Sequence, residues 1–431
     1  MRNRTASILL RLVVAAILGL LCTAVPAFAA ATEQVLYNFC SLSSCTDGEF
    51  PFAGLTFDAA GNLYGTTGTG GAYDSGAIFE LALGAGGTWT ETVLYSFCPL
   101  SGCVDGSGPS SSLIFDTAGN LYGTTAGGGA GSCPGGGCGT VFELSPDGDG
   151  TWTETVLYSF GNEPDGHEPV AGVVMDPSGN LYGTTFLGGL GHSGTVFELK
   201  PAGNGTWTEA VIHNFCYLHG CRIGGSLPMA GLVLGLSGSL FGTTFNGGGG
   251  SGCGGAGCGE VFELVRGSNG KWTEKTLHAF NFKDGKEPQA SLIFDRAGHL
   301  YGTASGGGTL RNGTVFELVH AKSGTWTEKV LADGFGSSAS LIFDSAGNLY
   351  GTSSGGGNGE GAVFELMPSK NGKWSHKLLY EFPANGLDGF EPDVNLIFDT
   401  AGNLYSTTAK GGNTGSGCGG YGCGTVFEIT P

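Results

Sequence analysis

Aspartate followed by glycine, with a proline a few residues on, recurs along this 431-residue chain at Asp47, Asp105, Asp165, Asp284 and Asp388, ahead of Pro51, Pro109, Pro169, Pro288 and Pro392. Three of these segments place a glutamate before the proline: Glu168, Glu287 and Glu391. Oxygen donors repeated in this way suit Ca²⁺ or a polar ligand if the fold gathers them around one opening. The plainer reading is turn chemistry, since Asp-Gly suits a tight turn and proline a strand start. Departures from the pattern are sharper candidates for ligand binding. His167 sits inside one acidic segment, and His192 lies in a short loop without cysteines. Arg222 follows a cysteine in the one long loop lacking Asp-Gly, and Arg311 occupies another cysteine-free loop. Each also reads as a solvated loop residue. No His-Glu-x-x-His or phosphate-binding Gly-Lys-Ser/Thr occurs, and the glycine-rich stretch 247–257 opens no helix, which excludes a dinucleotide fingerprint.

Thirteen cysteines are present. Apart from Cys22 they fall in pairs with four residues between partners: Cys40/Cys45, Cys98/Cys103, Cys133/Cys138, Cys216/Cys221, Cys253/Cys258 and Cys418/Cys423. In an exported chain, an even count with local pairing reads as disulfides. Zinc held by four thiolates is the rival, although tighter Cys-x-x-Cys knuckles are its usual form. Export is read from Arg2, Arg4 and Arg11, an apolar run over 12–21, and Ala27-Phe28-Ala29, which together make residues 1–29 a secretory signal peptide. Residues 30–431 then form one domain. The apolar run is shorter than the roughly 20 residues a membrane span needs. Loss of the three leader arginines takes the formal charge from −19 to −22, which argues against nucleic acid and anionic membrane as partners.

The elements that position these residues are written seven times. Variants of Leu-Ile-Phe-Asp-x-x-Gly-Asn-Leu-Tyr-Gly-Thr-Thr, a glycine-rich loop, Gly-Thr-Val-Phe-Glu-Leu and Trp-Thr-Glu-x-Val-Leu-Tyr-x-Phe recur, with the turn glycine at Gly61, Gly119, Gly179, Gly238, Gly298, Gly347 and Gly402. In the second unit, the runs 112–115 and 121–125 flank an Asp-x-x-Gly-Asn turn, and further strands are expected over 140–144 and 151–160. Four antiparallel strands per unit, stacked radially, make an all-β, seven-bladed β-propeller. Residues 33–39 read as a fourth strand without its first three, and 426–431 as a third strand without its fourth. Joined, they complete one blade and close the ring, leaving no exposed sheet edge. The connections between strands two and three, and from strand four to the next unit, emerge on one face. That face holds every candidate above, with the carboxylates expected at the channel mouth. The shortened segment 333–338 is expected to leave a notch in its rim. The tryptophans opening fourth strands, such as Trp152 and Trp374, are expected to pack between blades.

The Gly-Asn-Leu-Tyr-Gly-Thr-Thr, Gly-Gly and Gly-Thr-Val-Phe-Glu-Leu segments resemble the GloVer tandem repeat of exported bacterial proteins, over essentially all of the mature chain. The resemblance implies export and no particular activity. Members carry varied C-terminal surface anchors, and no sorting tail is read before Pro431. The register is also similar to kelch and NHL-type propellers, which supports the fold without fixing a function. The expectation is a monomeric, disulfide-stapled propeller, secreted, periplasmic or at the cell surface, that binds a glycan or protein, with Ca²⁺ as its candidate cofactor. One alternative is a hydrolase or lyase, similar to the lyases and lactonases built on propellers, in which Asp165, His167, Glu168 and His192 serve a divalent cation. A structural envelope protein is another.

Overall fold

A computed structural model describes residues 31–431 except 134, 135, 162, 163, 217–223, 355–358, 385, 387, 414–417 and 419. The expected signal peptide therefore lies outside the described residues, as do Cys221 and Arg222. Seven four-stranded antiparallel sheets are the blades, spanning 56–96, 114–159, 174–214, 233–279, 293–333, 342–381 and, for the seventh, 397–430 with Thr32–Asn38. In blade 2 the strands are Ile114–Phe115, Leu121–Thr125, Thr140–Pro146 and Trp152–Ser159. Closure is as the sequence implies: Thr32–Asn38 pairs antiparallel with Thr425–Thr430, with Val35 opposite Phe427 and Tyr37 opposite Val426.

Each blade begins with the same turn. The Asp58 carboxylate accepts hydrogen bonds from the amides of Ala60 and Asn62, both at 2.8 Å, and from the Asn62 side chain at 2.9 Å. Gly61 supplies the required positive φ of 90°. Blades 2, 3, 6 and 7 repeat the bracket around Asp116, Asp176, Asp344 and Asp399. Tyr182 of the second strand donates to Glu198 at 2.8 Å, a partnership repeated by Tyr64 with Glu80 and Tyr301 with Glu317. Much of the repeated acidity is thus structural.

Between blades the core is aromatic. The phenylalanine ending each fourth strand meets the Phe-Glu-Leu phenylalanine of the next blade edge-on, as in Phe97 with Phe142 at 5.2 Å and Phe160 with Phe197 at 5.1 Å. The tryptophans lie over the tyrosine or phenylalanine of the preceding blade, Trp152 beside Tyr64 and Trp326 beside Phe241. In the shortened segment 333–338, Phe335 takes the place of the terminal phenylalanine and packs on Phe364 and His376, both with ring centres 5.0 Å away.

Candidate functional site

The Asp-Gly segments turn out to be clasps at the seams between neighbouring blades. Asp47 is fully buried; it accepts hydrogen bonds from the Tyr37 hydroxyl at 2.8 Å and from the amides of Ser41 and Leu42. Asp105 receives Tyr95, and Asp165 receives Tyr158, at 3.1 and 2.9 Å. Gly48 then sits so close to Thr67 that a Cβ would lie 2.4 Å from its Oγ1, and Gly389 is tighter still against Thr408. The next residue pairs across the seam, Glu49 with Thr69, Ser107 with Gly127, His167 with Leu187 and Phe390 with Lys410. Glycine is needed there for close approach, and aspartate to hold a tyrosine of the outermost strand. The carboxylates expected at the channel mouth are therefore elsewhere, at the outer seams. Residues such as Ser111, Ala171, Gly231, Ser340 and Asn395 line a channel of about 250 Å³, whose one charged group among the described residues is Asp393. Burial raises the Asp393 carboxyl above its ordinary range.

Every seam but the one preceding blade 6, where His376 stands instead, also receives the glutamate that follows tryptophan and threonine (or Glu33, where blade 7 follows blade 6) in the next fourth strand. Burial, reinforced by the neighbouring aspartate, pushes Glu91 beside Asp47 up to about 7, Glu154 beside Asp105 to about 8 and Glu209 beside Asp165 to about 7. Glu33 beside Asp388 follows suit at about 7. A carboxyl oxygen of each of these glutamates is shut off from solvent without a hydrogen-bond partner. The seams preceding blades 4 and 5 differ, since His213 and His278 stand where four others have tyrosine; the seam preceding blade 6 has Ala332 there.

Glu168, Glu287 and Glu391 each adopt a positive φ near 57° just before proline. Their amides donate to carbonyls of the preceding blade, at Cys138, Cys258 and Glu360. His167 reaches Glu168 at 3.7 Å, while Asp165 stays bound to Tyr158, Gly161 and Gly166, so the three do not converge on one point. Lys286 pairs with Glu287 at 2.8 Å, and Asp284 accepts the Asn281 amide at 2.8 Å. His192 and Arg311 occupy separate second-to-third loops, both at positive φ. Gly351-Thr352-Ser353-Ser354-Gly355 has the letters of a hydrolase elbow, yet Ser353 is buried in a strand and donates to the Gly336 carbonyl at 3.1 Å.

Disulfides join Cys40–Cys45, Cys98–Cys103, Cys133–Cys138, Cys253–Cys258 and Cys418–Cys423. Cys216 is disulfide-bonded too, and its expected partner Cys221 lies outside the described residues. The Cys418–Cys423 loop builds a feature that sequence reasoning missed. Tyr421 stands 66% exposed above a cleft of about 360 Å³ between blades 6 and 7, bordered by Glu360, Phe390, Glu391 and Lys410. Lys410 binds Glu391 at 2.8 Å and lies 5.6 Å from the centre of the Tyr421 ring. Lys410 pairing with Phe390 across the seam, and the Gly411 amide donating to the Tyr421 carbonyl, fix the cleft walls.

Seven radial sheets closed by a strand from the opposite terminus define the β-propeller class. Within it, a family model described as the Gloeobacter/Verrucomicrobia repeat matches residues 25–256 and 250–431, and the chain belongs to that family. No curated protein matches it. Among solved structures it is similar to the PQQ-bound aldose sugar dehydrogenase of Streptomyces coelicolor, with 12% identity over 93% of this chain and 98% of that one, at a TM-score of 0.42. It is also similar to the NanB sialidase of Streptococcus pneumoniae, with 13% identity over 92% and 70% of the two chains and a TM-score of 0.44. A puromycin hydrolase matches over 83% of this chain and 50% of its own, with 14% identity and a TM-score of 0.48. Likeness at these identities does not extend to chemistry. The disulfides suit an extracellular or periplasmic setting, and no helix among the described residues is long and apolar enough to cross a membrane.

Proposed function

We propose that this protein is an exported binding module whose variable-loop face takes a glycan in the cleft of Glu391, Lys410 and Tyr421. The observation that carries this reading is where the apolar surface lies. Of the thirteen large hydrophobic side chains exposed among the described residues, eight are in loops of that one face, Leu100, Leu310 and Tyr421 being the most exposed of them. Apolar groups concentrated on one side of a folded domain mark an interaction surface. Tyr421 offers a flat ring for the C–H face of a sugar, and Glu391 and Lys410 beside it offer an acceptor and a donor for hydroxyls.

A glycan array probed with the mature protein tests the proposal. Binding is expected to survive chelation, because the cleft needs no ion, and to fall at least about tenfold in Tyr421→Ala at an unchanged melting temperature. Failure of the wild type to bind any glycan, or full binding by Tyr421→Ala, overturns it.

A further inference from the structure

The seam between blades 4 and 5 carries a set of donors that the tyrosine seams lack. At the ordinary seam a tyrosine hydroxyl donates to the clasp aspartate, as Tyr37 does to Asp47 and Tyr158 to Asp165. Here the residue is His278. Its Nε2 lies 3.4 Å from Asp284 Oδ2 but makes no hydrogen bond, and it is shut off from solvent. From the next blade comes Glu328, whose Oε1 is likewise buried and unpartnered. One donor atom from each of His278, Asp284 and Glu328 can be chosen so that all three lie within 4.8 Å of one another.

We infer that His278, Asp284 and Glu328 bind a divalent transition-metal ion of the zinc class, with an open position left for water or ligand. Two ligands at about 2.0–2.1 Å from a tetrahedral zinc stand about 3.3–3.4 Å apart, the separation seen between His278 and Asp284. One imidazole and two carboxylates are a zinc-type set, whereas Ca²⁺ asks for six or more oxygens. The ligands are held in place from outside. Strand pairing slips between Val261 and Phe262, so that Val261 faces His278 while Phe262 faces Thr276, and the imidazole sits edge-on to Phe280 with ring centres 4.8 Å apart. The Asn281 amide and side chain both donate to Asp284, which orients its carboxylate.

The inference stands independently of the glycan cleft, which lies between blades 6 and 7. Its test uses the mature protein loaded with Zn²⁺ and dialysed, then assayed for metal content. Wild type is expected to retain one equivalent more than His278→Tyr. That substitution restores the residue of four other seams, Tyr37, Tyr95, Tyr158 and Tyr380, and so preserves the fold. With Co²⁺, wild type is expected to show a visible d–d absorption band of low coordination number, absent in His278→Tyr and in Glu328→Gln. Equal zinc content in wild type and His278→Tyr, or no zinc retained by wild type, overturns the assignment.

Discussion

Replacing Glu91, Glu154 and Glu209 together by glutamine probes the seams through their response to pH. Burial and a neighbouring aspartate raise these carboxyls to about 7, 8 and 7 in the folded protein, against about 4.3 in an unfolded chain. A raised carboxyl favours the protonated form in the native state. Its contribution is therefore fully present below pH of about 4.3 and is lost as pH climbs through 7 to 8. At about 1.36 kcal/mol per pH unit the undiscounted loss is about 3–5 kcal/mol per glutamate. Each side chain keeps part of its surface in water, so screening reduces this to about 1 kcal/mol each. Wild type should thus lose about 3 kcal/mol between pH 5 and pH 8.5 that the triple Glu→Gln variant does not lose. Urea unfolding midpoints at the two pH values, read in chelator, measure the difference. An identical pH dependence in the two proteins refutes the reasoning.

Three further substitutions test the scaffold. Phe160→Ala empties a fully buried contact with Phe197 and should cost about 3–5 kcal/mol in denaturant unfolding. Tyr182→Phe removes the hydroxyl that donates to Glu198 and should cost about 1 kcal/mol by the same assay, a change that blade 4 already carries as Phe241. Leu36→Asp places a carboxylate against the core joining the two ends of the chain, and should speed amide exchange across 425–430 while leaving blade 3 protected.

Periodicity made the blades legible, and the unpaired strand fragments at the two ends made closure legible, because both are properties of order along the chain. The seams were not. Asp47 reads as turn chemistry, yet its partners are Tyr37, ten residues earlier, and Glu91 from the following blade, and no local pattern links the three. Glu328 was hidden by repetition, since a glutamate recurring in nearly every unit looks like scaffold until its neighbour changes from tyrosine to His278. Tyr421 sits in a cysteine-closed loop that reads as a staple, and only the fold brings Glu391 and Lys410 beside it. That Phe335, one residue later than its counterparts, still takes the place of a strand-end phenylalanine was likewise not legible in the shortened loop.

The most direct measurement compares retention on an immobilised glycan of wild type, Tyr421→Ala from the variable-loop face, and Leu236→Ser from the fully exposed turn on the opposite face. Retention should be lost by Tyr421→Ala alone, with all three proteins melting alike. Loss in Leu236→Ser with retention in Tyr421→Ala would contradict the assignment of function to the variable-loop face.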